Sequence, residues 1–148
     1  LLPLGAGGTA ALRVRGGWSR PLRDSTDVLP NRRFYAGGYN SMRGYARRRL
    51  GPRDAEDNPR GGQAMLLAGA EWRRPLVWIL EGALFLDTGN VWRTPDEVDL
   101  ASLQTAWGAD LDVRTPIGPL RVGHSWILGM PQAGEPRTLW HFGIGYPW

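Results

Sequence analysis

Gln63-Ala64-Met65-Leu66-Leu67-Ala68-Gly69-Ala70-Glu71-Trp72-Arg73 is the stretch that decides the fold class. Its even positions are Ala64, Leu66, Ala68, Ala70 and Trp72, whereas its odd positions end in Gly69, Glu71 and Arg73. In an extended chain that parity makes one face apolar and the other polar. Val77 to Asp87 repeats it, with Trp78, Leu80, Leu84 and Leu86 on one face and Glu81 and Asp87 on the other. Arg74-Pro75-Leu76 between them is expected to form a tight turn. Helical spacing fits poorly, because glycines interrupt nearly every window.

The same alternation continues outward from this hairpin. From Thr105 to Thr115, Trp107, Ala109, Leu111 and Val113 oppose Gly108, Asp110, Asp112 and Arg114. Pro116-Ile117-Gly118-Pro119 then turns the chain, and Leu120, Val122 and Trp126 alternate with Arg121, Gly123 and Ser125. Arg137 to Trp148 sets Trp140, Phe142, Ile144, Tyr146 and Trp148 against His141, Gly143 and Gly145. Upstream, Ala10, Leu12, Val14 and Trp18 oppose Thr9, Arg13, Arg15 and Gly17. These are about six strands of an all-β, antiparallel protein. Connections are short at 74–76 and 116–119 and long at 19–62, 88–104 and 128–136. Short turns alternating with long loops, strands of about 9–11 residues and aromatic residues near strand ends mark a transmembrane β-barrel. A soluble sandwich also shows period two, but tryptophans on the apolar faces, with charges on the opposite ones, favour the membrane reading. Even the smallest outer-membrane barrels need about eight strands, so further strands are expected upstream. The Met-less start, Leu1-Leu2-Pro3-Leu4, suits a C-terminal part of such a barrel.

Composition narrows the chemistry. The 148 residues contain no cysteine, which excludes disulfides, thiolate nucleophiles and Cys-based metal sites. All 18 positive charges are arginine, so neither a P-loop nor a Schiff-base lysine is available. Seven arginines between Asn31 and Asp57 face only three acids, which accounts for the whole net charge of +4. No recognition helix or aromatic platform accompanies them, and no nucleic-acid partner is expected. No apolar run is long enough for a spanning helix, and no signal peptide is visible.

Inside the basic segment lies Arg33-Phe34-Tyr35-Ala36-Gly37-Gly38-Tyr39-Asn40-Ser41-Met42-Arg43-Gly44-Tyr45. It resembles the signature of the BamA/TamA family of outer-membrane assembly factors, in which an R-F-x-A-G-G segment precedes a V/I-R-G-F/Y tetrad on a long loop folded back into the lumen. Met42 replaces the usual Val or Ile. Leu50-Gly51-Pro52-Arg53, Gly69-Ala70-Glu71-Trp72-Arg73-Arg74-Pro75, Phe85-Leu86-Asp87-Thr88-Gly89-Asn90-Val91-Trp92 and Thr115-Pro116-Ile117-Gly118-Pro119-Leu120-Arg121 resemble successive later segments of that family. The resemblance covers about residues 9–148. It implies the C-terminal part of a 16-stranded barrel, with upstream strands and POTRA domains outside residues 1–148 and a long lumen-folded loop at about 19–62.

The resemblance also implies function. Arg33, Phe34, Gly37, Gly38, Met42, Arg43, Gly44 and Tyr45 would form the loop motif, and Glu71 and Asp87 the lumen acids that hold Arg43. Parity places both acids on one face independently, and a guanidinium gripping carboxylates would pin a long loop. Trp72, Trp78, Trp107, Trp126, Trp140, Phe142, Tyr146 and Trp148 would face the membrane. The implied activity is insertion or assembly of β-barrel proteins or autotransporters in the outer membrane of a Gram-negative bacterium. The implied partners are outer-membrane lipids including lipopolysaccharide, unfolded client proteins, and periplasmic or inner-membrane assembly factors reached through the N-terminal domains. A closing aromatic strand is commonly a targeting signal. Gly143, Gly145 and Pro147 would weaken the seam where the last strand meets the first.

Two other readings stay open at this stage. A two-partner-type polypeptide-secreting pore shares the loop motif. A barrel lipase or esterase would need Ser125 and His141, which share parity on neighbouring strands, but no orienting acid is identifiable. His124 and Ser125, being adjacent, point to opposite faces. Two histidines on different strands make a poor metal site, and no cofactor is expected. Arg47, Arg48 and Arg49 suit solvation or pairing with Asp54, Glu56 and Asp57 better than binding of lipopolysaccharide phosphates. Asp110 and Asp112 are expected on a hydrated lumen wall.

Overall fold

A computed structural model describes residues 2–4, 7–21, 28–116 and 118–145. Its strands are β1 (Leu2–Leu4), β2 (Gly8–Trp18), β3 (Ala64–Pro75), β4 (Leu80–Trp92), β5 (Gln104–Val113), β6 (Leu120–Leu128) and β7 (Thr138–Ile144). They form one antiparallel sheet in strict chain order, so every neighbour is a hairpin partner. β1 and β7 are its edges. The six strands expected from the alternation are β2 to β7, and the three-residue β1 is additional.

Two boundaries differ from the sequence reading. Arg74 and Pro75 continue β3, pairing with Gly82 and Glu81, and the chain turns at Leu76-Val77-Trp78-Ile79. Trp78 sits in that turn with φ of 52° and is fully exposed, so it belongs to no strand face. At its other end β4 runs on to Trp92, opposite Ala64, which shortens the following connection to residues 93–103. Thr88-Gly89-Asn90 has the composition of a loop but pairs in register with Leu66, Leu67 and Ala68. Gly89 permits this, because a Cβ there would sit 2.5 Å from Leu67 Cδ2 and the Leu66 carbonyl.

The sheet is covered on one face only. Residues 28–62 lie over it as a loop folded on itself by bridges between Phe34 and Gly62, Ala36 and Leu50, and Gly38 and Met42. A small apolar core joins loop to sheet, with Ala36, Met42, Tyr45 and Leu50 from the loop and Leu67, Val91, Ala106 and Ile127 from the strands. The opposite face is bare and carries Leu12, Val14, Trp72, Leu84, Leu86, Trp107, Trp140 and Phe142. On that face Trp126 stacks on Trp107 at 4.8 Å, and His124 lies between Trp126 and Trp140. Tyr146, Pro147 and Trp148 fall outside the described residues.

The covered face pairs large residues with glycines across the strands. Gly69 lies opposite Asp87, Gly108 opposite Phe85, and Gly123 opposite Asp110 and His141. A Cβ at Gly69 would meet the Asp87 carboxylate at 2.7 Å, and one at Gly123 would overlap the Asp110 and His141 side chains. The missing side chains therefore make the room in which charged groups are buried.

Candidate functional site

The loop motif is wound tightly before it reaches the sheet. Gly37 and Gly38 have φ of 106° and 96°, a region that side chains other than glycine rarely enter. The Gly38 N–H donates to the Tyr45 carbonyl at 2.7 Å, and the Gly38 carbonyl accepts from the amides of Ser41 and Met42. This closes residues 38–45 into a compact turn that aims Arg43 at the strands. Gly44 rests directly against Ala106 and Ile127, where a side chain would collide with the Ala106 methyl. Arg33 donates to the carbonyls of Val28 and Arg60, and the Phe34 ring lies over Gly17. The Tyr45 hydroxyl donates to Gln104 Oε1 at 2.7 Å.

Arg43, only 1% exposed, is the centre of a buried ionic network. Its Nε and Nη2 donate to the two oxygens of Asp87 at 2.7 and 2.9 Å, a bidentate pair. Its Nη1 donates to Glu71 and, at 3.2 Å, to Asp110. The guanidinium also lies 3.7 Å from the Phe85 ring centroid. Burial disfavours the Arg43 charge, but hydrogen bonds and Coulomb attraction from Asp87, then Glu71 and Asp110, outweigh it and raise its pKa. Around this centre Arg73 pairs with Glu71, Arg121 with Asp112 and with Asp110 at 3.2 Å, and Arg13 approaches Asp87 at 3.9 Å. Four arginines thus meet four carboxylates, and the cluster is neutral when His141 is uncharged. Mutual neutralisation is what makes so many buried charges tolerable.

The model of the Omp85 superfamily domain matches residues 2–148. The chain belongs to that superfamily. It is 32% identical over 120 residues to the outer membrane protein assembly factor BamA of Nitratidesulfovibrio vulgaris, covering 76% of this chain and 15% of that protein. It is likewise 32% identical over 117 residues to BamA of Neorickettsia risticii, covering 73% of this chain and 16% of that one. The crystal structure of BamA from Haemophilus ducreyi lacking POTRA domains 1–3 shares the fold, with a TM-score of 0.76 and 21% identity over 96% of this chain and 33% of that one. The chain spans only 15–16% of the length of these two BamA relatives.

In this Omp85 chain the structure brings Arg43, Glu71 and Asp87 together and adds residues that sequence reading passed over. Asp110 is no hydrated wall residue, since it is buried between Arg43, Arg121 and His141. Asp112 is likewise buried against Arg121. The available signal was their place opposite the apolar face of their own strand, the place that Glu71 and Asp87 hold on theirs. His141 Nε2 lies 2.6 Å from Asp110 Oδ1, so an acid does orient it. Ser125 faces Leu139 across the β6–β7 ladder, and its hydroxyl sits 2.8 Å from the Arg43 carbonyl and 3.0 Å from the Leu139 carbonyl. The serine's one proton is committed to backbone, and the histidine to Asp110.

The basic run divides. Arg49 bonds Asp57 at 2.6 Å and Glu135 at 2.8 Å, and Arg53 bonds the same two acids at 3.0 and 2.8 Å, which ties the long loop to the 129–137 connection. Arg47 and Arg48 are exposed, and the Arg48 guanidinium lies 5.0 Å from the Tyr35 ring centroid. Among the described residues no cluster of three or more His, Asp or Glu has the arrangement of a metal site.

Proposed function

We propose that the chain is the C-terminal barrel part of an outer-membrane assembly factor, which inserts or assembles β-barrel proteins or autotransporters. One observation carries this reading: the arginine of the loop motif is buried among Glu71, Asp87 and Asp110 on the covered face of a sheet whose other face is bare and apolar. Such a sheet suits hydrocarbon outside and a polar interior within. Lipid would meet Trp72, Trp107, Trp140 and Phe142, and the covered face would line the lumen. The activity is non-enzymatic. A loosely held seam at the sheet edge and a locally thinned bilayer lower the barrier for a client strand, which enters by adding to the exposed edge. Arg43 and its acids hold loop and wall in the working arrangement. Clients are unfolded outer-membrane proteins, the surrounding lipid includes lipopolysaccharide, and partners on the periplasmic side are met through N-terminal domains.

The test is a depletion strain complemented with the complete protein carrying Arg43→Ala, Glu71→Ala and Asp87→Ala, singly and in pairs. Surface levels of client barrels should fall with each single change, and pairs should add little, because the three groups act as one unit. Normal client levels with each variant folded in the membrane would overturn the reading.

A further inference from the structure

β7 is a sheet edge, with a ladder to β6 on one side. Besides that ladder, the position of β7 is set by what its side chains touch. Its bare-face residues, Trp140, Phe142 and Ile144, are 64–73% exposed. The covered-face positions Leu139, His141 and Gly143, and Gly145 just beyond the strand, are different: each is engaged by the loop segment Tyr39–Arg43 or by a residue that the segment grips.

At the first position, the Ser125 hydroxyl lies 3.0 Å from the Leu139 carbonyl and 2.8 Å from the Arg43 carbonyl, which share its one proton. At the second, His141 bonds one oxygen of Asp110 while Arg43 bonds the other. At the third, the Tyr39 ring occupies the space of a side chain, since a Cβ on Gly143 would lie 2.6 Å from Tyr39 Cζ. At the fourth, the Tyr39 hydroxyl donates to the Gly145 carbonyl. The Tyr39 ring is bracketed by Arg121, 5.7 Å from its centroid, and by the His141 ring at 6.3 Å. Tyr39 and Arg43 are four residues apart on one compact turn, so a displacement of that turn moves all four contacts together.

We infer that the Tyr39–Arg43 segment is a strap that fixes the position of β7, with Tyr39 and His141 as positioning residues for the sheet edge. Its importance for activity rests on the proposed function, in which that edge receives the client strand. The grip on Glu71 and Asp87 anchors the strap to the middle of the sheet, and Tyr39 carries the hold across to the edge.

Hydrogen exchange of the complete protein in phosphatidylcholine vesicles tests this. Tyr39→Phe deletes only the hydroxyl, and amides 139–145 should exchange about threefold to tenfold faster, with β3 and β4 unchanged. Gly143→Ala should accelerate the same amides by expelling the ring, and adding Tyr39→Phe to it should change nothing more. Wild-type exchange of β7 in both single variants, or equal acceleration of β3 and β4, would overturn the strap. Insertion of an unfolded barrel client into the same vesicles separates this from the assembly reading. Faster β7 exchange with unaltered insertion upholds the strap and removes the client from this edge, whereas unaltered exchange with altered insertion removes the strap alone.

Discussion

The two faces of this sheet invert the usual arrangement of a protein in water. On the covered face Arg43, Asp87, Asp112 and Arg121 are at most 3% exposed, while on the bare face Trp140 and Phe142 are 64% and 73% exposed. Charges can be buried there because each meets an opposite charge, and large apolar groups can be exposed where the surrounding medium is hydrocarbon. The comparison teaches that burial on this sheet follows pairing rather than polarity.

The strongest way to break that pattern is to unbalance the covered face. Arg43→Ala leaves Glu71, Asp87 and Asp110 converging on a site without its central cation. The expected loss is about 3–5 kcal/mol in urea unfolding of the complete protein in vesicles, with the loop released to protease. Arg43→Lys should recover little, since an ammonium cannot reproduce the bidentate bond to Asp87 while reaching Glu71 and Asp110. A loss no greater than that of a surface pair would mean that water screens this face.

The bare face is tested by introducing a charge. Leu86, midway along β4, and Val98, in the 93–103 connection, are both 46% exposed. Equal exposure would make Leu86→Arg and Val98→Arg equivalent in water. In a bilayer, Leu86→Arg should cost about 2–4 kcal/mol, while Val98→Arg stays near zero. Equivalent small effects in vesicles would remove the lipid-facing assignment.

Asp110→Asn is expected to rank next, at about 1–3 kcal/mol in the same unfolding assay, because it weakens bonds to Arg43, Arg121 and His141 without emptying the site. It also marks where sequence reading stopped. Parity assigns each residue to a face, so the shared side of Glu71, Asp87 and Asp110 was legible, as was the succession of antiparallel strands. Height along the sheet was not, because register depends on turn geometry. The β3–β4 turn was expected two residues early, at Arg74-Pro75-Leu76, because its left-handed position is filled by Trp78, where Gly or Asn is the usual signal. Loop composition at Thr88-Gly89-Asn90 concealed the end of β4, since Gly89 serves close packing rather than a bend. Tyr39 was visible within the motif, but its bond to Gly145 spans 106 residues and follows no local pattern.

The smallest effect belongs to the second arginine cluster, which lies on the loops rather than on the covered face. Asp57 is 58% exposed at its side chain, and hydrogen bonds from Arg49, then Arg53, hold its carboxyl below the usual carboxylate range. Asp54 is shifted the same way, chiefly by the Asn58 amide. A carboxylate with a depressed folded pKa contributes stability above its unfolded value of about 3.9, and loses it as pH falls through the folded value. Exchange of amides 53–60 should therefore be slow relative to free peptide and, corrected for intrinsic rates, constant from neutral pH to about 4. Below that it should accelerate, with the sheet amides unaffected. Salt should mimic acid here, because exposed pairs are screened, but it should leave the Arg43 network intact. Asp57→Asn should abolish most of the acid response without shifting global unfolding. If instead acid and salt loosened loop and sheet together, the two arginine clusters would be one coupled unit, and the boundary between paired-and-buried and paired-and-exposed charge would lie elsewhere in this protein.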